Sequence, residues 1–262
     1  MTWIHDILAG AGVGLVAGLA SGFTGTSPGG GLVIFSVLLL GAEQHVAQGT
    51  SLITQIPPTG LAGARRYWRS GNRSPLQWIV WIGLGFLLGG AGGGYAAAAV
   101  SDAVLRWTYV VYLVALIAML LLRSDRKDAG SEADTRDELP WLPLLLIGVL
   151  AGFSSGFMGI GGGLAITVGL AAGLRVPQHQ AQLVSLIFSV IPTNIPAAWI
   201  YWSKGLMVGW PAIFAILAGL WVGTDLGARA ANGVSRSALR RAMIALVSLM
   251  ALYMTYKALS SA

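Results

Sequence analysis

The sequence predicts an all-α polytopic membrane protein made of two inverted-topology repeats, with about ten membrane helical segments, some of them short or re-entrant. Three observations lead there. Of 262 residues, 55% are hydrophobic and only 10% charged, with a mean hydropathy of +0.73, whereas an ordinary soluble domain carries about a quarter charged residues. The chain also repeats itself at an offset of 134 residues, and the basic residues flanking equivalent segments change loops from one copy to the other. In lipid the backbone must satisfy its own hydrogen bonds, and the apolar runs are continuous rather than alternating, so the segments are helices and not barrel strands.

The first apolar run follows Met1 and carries Asp6 in place of a basic n-region. Its pattern recurs later in the chain, so it is expected to be mature structure and not a signal peptide. It ends in Gly18-Leu-Ala-Ser-Gly22-Phe-Thr-Gly25, which matches Gly152-Phe-Ser-Ser-Gly156-Phe-Met-Gly159 at the end of the run Trp141 to Met158. The paired glycines four apart are expected to let helices approach closely. Both copies then reach a triple glycine, Gly29 to Gly31 and Gly161 to Gly163, with the first copy read as two residues longer at Thr26-Ser27-Pro28. Short apolar stretches follow, Leu32 to Leu40 and Leu164 to Leu174, only about 14 and 16 Å long at helical rise and expected to be half-helices. The register of 134 resumes with His45 and His179, Gln48 and Gln182, Ser51 and Ser185, Pro58 and Pro192. It continues through Tyr67-Trp68 and Tyr201-Trp202, Gly93 and Gly227, Leu105-Arg106 and Leu239-Arg240. Leu76 to Val100 holds no charged residue and is long enough to span.

The copies divide the chain into a first repeat at 1–122, a charged linker at 123–139 and a second repeat at 140–262. The linker holds six of the ten acidic residues and reads as a solvated connector. Arg65, Arg66, Arg69 and Arg73 edge a loop whose second-half partner has only Lys204, while Arg229, Arg236, Arg240 and Arg241 edge a loop whose first-half partner has one arginine. Under the positive-inside rule the equivalent loops face opposite sides. Residues near 70, the linker and residues near 235 are then cytoplasmic, and both termini are periplasmic in a bacterial inner membrane. Tyr67, Trp68, Tyr201 and Trp202 are expected at the membrane interface.

Inverted repeats with interrupted helices place binding sites near the midplane, where helix N-termini offer partial positive charge to anions. The breaks supply Thr26, Ser27, Gly29, Gly30 and Gly31 in the first copy, and Gly161, Gly162 and Gly163 in the second. Backbone N–H groups unobstructed by side chains can hold an oxyanion there; close helix packing is the other reading of such glycines. The polar helix that follows offers Gln48, Ser51 and Gln55 on one face, and Gln182, Ser185 and Ser189 in the other copy, either as anion donors or as interhelical hydrogen bonds. Asn194 lies beyond the second. Pro57, Pro58, Pro192 and Pro196 then interrupt the ladder, as a kink at the site or as a hinge.

Other chemistry is poorly supported. Cysteine is absent and three histidines form no H-x-x-x-H pair, so no metal and no cofactor is expected. The net charge of +6 lies in short loops, where topology explains it better than nucleic acid does. Gly152-Phe-Ser154-Ser-Gly156 fits G-x-S-x-G but reads as a glycine-packed helix without an acid and a histidine in reach, so no enzyme is expected. Asp225 and Arg229, four apart, are expected to pair, a proton-coupling carboxylate being the other reading of Asp225, and His45 and His179 are expected to cap helix starts, with proton relay as the alternative.

The paired breaks resemble those of the TauE/SafE sulfite-exporter family, also called TSUP. The resemblance covers nearly the whole chain. It is carried by Gly159-Ile-Gly-Gly-Gly163, Ala181-Gln-Leu-Val-Ser185 and Tyr201-Trp-Ser-Lys-Gly205, and by Ala47-Gln-Gly-Thr-Ser51 in the first half. Two departures stand out: Thr-Ser-Pro-Gly-Gly-Gly at the first break, and Val184-Ser185 where the family has Thr-Ser. The resemblance implies a secondary transporter that exports or exchanges small anions such as sulfite, thiosulfate or sulfoacetate, with proton coupling and a homo-oligomer both open. A passive anion channel and a non-transporting membrane scaffold are the alternatives.

Overall fold

The computed structural model describes residues 2–24, 27–58, 74–122, 139–231 and 236–260. Eleven helices occupy them: α1 (Thr2–Thr24), α2 (Gly29–Leu39), α3 (Gln44–Thr54), α4 (Leu76–Ala99), α5 (Asp102–Leu122), α6 (Trp141–Met158), α7 (Gly163–Val168), α8 (Gln178–Phe188), α9 (Ile195–Ser203), α10 (Trp210–Ala231) and α11 (Arg236–Ser260). A π-helical turn, Gly169–Gly173, extends α7. The linker, apart from Leu139, lies outside the described residues, as do Tyr67 and Trp68.

Helix starts recur at one interval. From residue 29 to 163, 44 to 178, 76 to 210 and 102 to 236, each step is 134 residues. This register removes the two-residue insertion expected at the first break. Helix α2 begins on the first glycine of its triplet and α7 on the last glycine of its own, so Gly29 is the counterpart of Gly163. Matching glycine to glycine misaligned the two breaks, because the run of three is not what starts the helix.

Among the described residues four helices are long and apolar enough to cross a membrane, over Ile4–Phe23, Leu76–Ala99, Trp141–Met158 and Trp210–Gly227. They form two seams. Helix α1 runs along α10 and α4 along α6, so each seam joins the first half of the chain to the second. Glycine makes the seams possible. A Cβ on Gly14 would stand 2.0 Å from the carbonyl oxygen of Ile216, and one on Gly223 2.3 Å from that of Leu15. In the other seam, Cβ atoms on Gly89 and Gly152 would stand 2.1 and 2.2 Å from the carbonyl oxygens of Val149 and Phe86. Backbones in contact at this distance exclude every side chain, the close packing that glycines four apart allow between apolar helices. The G-x-S-x-G stretch at 152–156 is interior to α6, and Ser154 bonds back to Ala151 at 2.9 Å.

Helix α5 pairs with α11, and α2 is sunk between α1, α5 and α11 with Leu32 to Val37 all buried. At 11 residues, α2 is about 16 Å long, too short to span. A second core gathers Trp78, Ile82, Phe86, Leu144, Ile166 and Phe188, and a third gathers Leu52, Ala97, Leu105 and Tyr201. Large apolar side chains also cover the outside: Leu8, Leu88, Leu150, Phe214 and Leu252 are each more than 60% exposed, far beyond the scattered exposed leucines of a soluble surface.

Candidate anion-binding site

Helix α6 stops at Gly159, which takes a left-handed φ of 70° while its N–H bonds to Ser155 at 2.7 Å. Gly161 is left-handed too, at φ 75°, a conformation side chains resist. These two residues turn the chain back so that α7 starts beside the end of α3. A Cβ on Gly161 would lie 2.6 Å from Oε1 of Gln55 and 2.8 Å from Oγ of Ser27; one on Gly162 would strike the ring of Phe86 at 2.2 Å.

A small cavity opens at this junction, lined by Ser27, Gln55, Phe86, Gly161, Gly162, Gly163, Ser185, Phe188, Ser189 and Asn194. None of these ten is ionisable. Ser27 donates to Oε1 of Gln55 at 3.1 Å, and Nε2 of Gln55 donates to Oγ of Ser51 at 3.0 Å. Ser155 donates to Oδ1 of Asn194 at 3.0 Å, leaving the Asn194 amide NH2 as the donor it can offer. The first N–H groups of α7 have no acceptor within the helix. An anion would thus meet the Asn194 amide and backbone donors, with serine hydroxyls that turn to it only by leaving Gln55, Gly163 or Ser185, and no lysine or arginine. Phe86 and Phe188 close one wall with rings 6.1 Å apart and 17° from parallel.

The sequence brought together most of this lining. Ser27, Gln55, the second glycine triplet, Ser185, Ser189 and Asn194 meet in one cavity. Thr26 lies outside the described residues. Gly29 is in the supporting layer, where a Cβ would stand 2.2 Å from the carbonyl oxygen of Ile160. The Gly30 carbonyl accepts from Tyr109 at 2.8 Å, and Gly31 faces Ala17. Ser51 is fully buried and donates to the carbonyls of Gly159 at 2.6 Å and Gly29 at 3.2 Å. Its counterpart Ser185 makes the same bond to Gly163 at 2.9 Å. Gln48 accepts from the Tyr201 hydroxyl at 2.9 Å, and Gln182 is half-buried on α8.

Three expectations change. Tyr201 is completely buried and hydrogen-bonded to Gln48 and Gly156, so it fills the core instead of anchoring at the interface; Trp202 beside it is exposed. None of the four prolines kinks a helix. Pro57 and Pro58 follow the end of α3, Pro192 lies between α8 and α9, and Pro196 is in the first turn of α9, where a missing N–H costs nothing. The helices therefore break outright at these junctions. His45 does not cap its helix start: Asp102 accepts the backbone N–H groups there, and the imidazole turns to Asp102 and the Ala97 carbonyl, partners that sequence spacing does not disclose, while Asp225 and Arg229 pair at 2.6 Å on an exposed face, as their spacing predicts. The side chain of His179 lies outside the described residues.

Phe86 and Phe188 were not foreseen: an apolar residue in an apolar helix carries no mark of which wall it forms. Among the described residues no group of histidine and carboxylate side chains could hold a metal ion.

Residues 10–254 match the family described as Sulfite exporter TauE/SafE. Over 233 residues the chain is 24% identical to the "Probable membrane transporter protein YdhB" of Bacillus subtilis (strain 168), covering 86% of this chain and 91% of that protein. No solved structure matches.

Proposed function

The chain belongs to the sulfite exporter TauE/SafE family, and on that premise we propose that it is a secondary transporter carrying small anions, foremost sulfur oxyanions and sulfonates such as sulfite, thiosulfate or sulfoacetate, by alternating access coupled to protons. The cavity carries this reading. It is polar, uncharged and placed where the two breaks meet, with donors drawn from both halves. Two pairs of equivalent positions, Gln55 with Ser189 and Ser27 with Gly161, line the same space, which fits one site on the axis of an inverted duplication.

The inverted arrangement draws support from the seams. An axis that exchanges the halves carries α1 onto α6 and α10 onto α4, so the α1–α10 contact becomes the α6–α4 contact, and α5 and α11 exchange with one another across it. In this reading residues 1–122 and 140–262 are the two repeats in a bacterial inner membrane, and both termini are periplasmic. Rocking one pair of seamed helices against the other opens the cavity to each side in turn.

Uptake and counterflow of radiolabelled sulfite, thiosulfate and a sulfonate in proteoliposomes test the proposal. Saturable counterflow is expected. Flux that never saturates and carries current identifies a channel, and no flux above empty liposomes for any of the three overturns the sulfur-anion assignment.

A further inference from the structure

His45 opens α3, and both of its ring nitrogens face acceptors. Nδ1 lies against Oδ1 of Asp102, and Nε2 is 2.9 Å from the carbonyl oxygen of Ala97 in the last turns of α4. The site is largely enclosed, with the imidazole 14% and the carboxylate 25% exposed. A neutral imidazole has one N–H and one lone pair. Between two acceptors such a ring must aim a lone pair at an oxygen. Both contacts are satisfied only when the pair holds one more proton, carried on the ring or on the facing carboxylate oxygen.

Asp102 does more than receive the ring. It also accepts the backbone N–H groups of Gln44 at 3.3 Å and of His45 at 3.2 Å, so a carboxylate on α5 clasps the start of α3. The charges around it are few. Arg106, four residues on, lies 3.5 Å from Oδ2 and is 12% exposed; Lys257 of α11 is within electrostatic reach of both Arg106 and Asp102. Glu43, before α3, is exposed. Helices α2, α4, α6 and α9 contain no charged residue, and Asp225 and Arg229 of α10 pair with each other. When the proton leaves, Arg106 and Lys257 still face the carboxylate, so release strands no unpaired buried anion.

We propose that His45 and Asp102 form a proton-binding site whose occupancy sets how firmly the start of α3 is held to α4 and α5. This makes it the coupling site of the transporter, and that part rests on the function proposed above. The link is α3 itself. Its far end carries Ser51 and Gln55, about 9 and 15 Å from His45 along the helix axis. Proton uptake closes the clasp at one end of a single buried helix whose other end holds the cavity wall. Release leaves the ring one N–H for two acceptors, so it gives up either Asp102 of α5 or Ala97 of α4 while the backbone N–H groups of Gln44 and His45 still hold Asp102, and the loosened helix follows the seam that moves.

Nitrogen NMR of the detergent-solubilised full chain tests the proton site without any substrate. The chain has three histidines, and single substitutions assign them. At about pH 6, where an imidazole can gain or lose its second proton, the pair should hold its extra proton, seen as N–H signals on both ring nitrogens or as a protonated Asp102 carboxyl in carbon spectra. The signature should vanish in Asp102→Asn. A ring with a single proton beside an ionised Asp102 overturns the site. Transport then tests the coupling. In proteoliposomes with radiolabelled thiosulfate, an imposed pH gradient should speed wild-type uptake at least about fivefold, the lower end of ordinary coupling between sites. Both His45→Gln and Asp102→Asn should lose that response while keeping counterflow. A response retained in both variants, or wild-type flux indifferent to the gradient, overturns the coupling. Absence of wild-type flux for sulfite, thiosulfate and a sulfonate alike counts against the transport assignment, and the NMR result still decides the proton site.

Discussion

At the residue scale, the two glycine triplets differ in what they leave room for. A Cβ on Gly30 would meet only the Tyr109 hydroxyl at 3.5 Å, an ordinary contact, whereas one on Gly162 would enter the ring of Phe86. Gly30→Ala should therefore transport like the wild type, and Gly162→Ala should lose about tenfold or more in flux, equivalent to roughly 1.4 kcal/mol at the site; counterflow on equal amounts of folded protein makes the comparison. Ser185→Ala should retain the fold and cost about 1 kcal/mol, the net worth of its bond to Gly163, read from thermal unfolding in detergent. Much of this site was legible because glycine, serine and asparagine are conspicuous in an apolar chain and need a reason to be there. What sequence could not tell was which of them touch the cavity and which, like Ser51 and Gln48, hold its supports. That distinction depends on the neighbour each side chain meets across a helix interface, and a helical period places a residue on a face without naming what lies opposite.

At the scale of helices, the seams make a sharper test than any single contact. Gly89 and Gly92 are three residues apart in α4. Gly89 faces the backbone of α6, while a Cβ on Gly92 would meet nothing within 4 Å. Gly92→Ala should be neutral or slightly stabilising, since alanine is the better helix former. Gly89→Ala should destabilise by at least about 1–3 kcal/mol, the ordinary cost of overfilling a packed interface, with both measured as shifts in thermal unfolding. For the pairs Gly18/Gly22 and Gly152/Gly156 the spacing was visible in the sequence, and so was its purpose. Their partners were not: α1 meets α10 rather than its neighbour in the chain, and nothing local records that choice. The breaks were visible as well, yet glycine identity misaligned them, because helix starts follow the turn geometry set by Gly159 and Gly161 and not the number of glycines in a run.

At the scale of the whole molecule, orientation is the property most open to direct proof. The chain has no cysteine, so single cysteines report without background. Ser101, Ser203 and Ala230 are all exposed. Cysteines at 101 and 203 should react with an impermeant maleimide added outside intact cells, and one at 230 only after the membrane is opened; labelling of all three from one side would sink the inverted arrangement.

The crossed seams also bear on how the chain is made. Ribosomes deliver α1 nearly two hundred residues before α10, and α4 more than forty before α6. Through that interval the glycine faces of α1 and α4 stand without the backbones they are shaped for, open to other helices or to a membrane protease. Neither half is a folding unit in the sense of a domain that closes on itself. A gene cut within the linker should accordingly yield two fragments that are degraded when expressed singly and survive when expressed together, each acting as the other's chaperone.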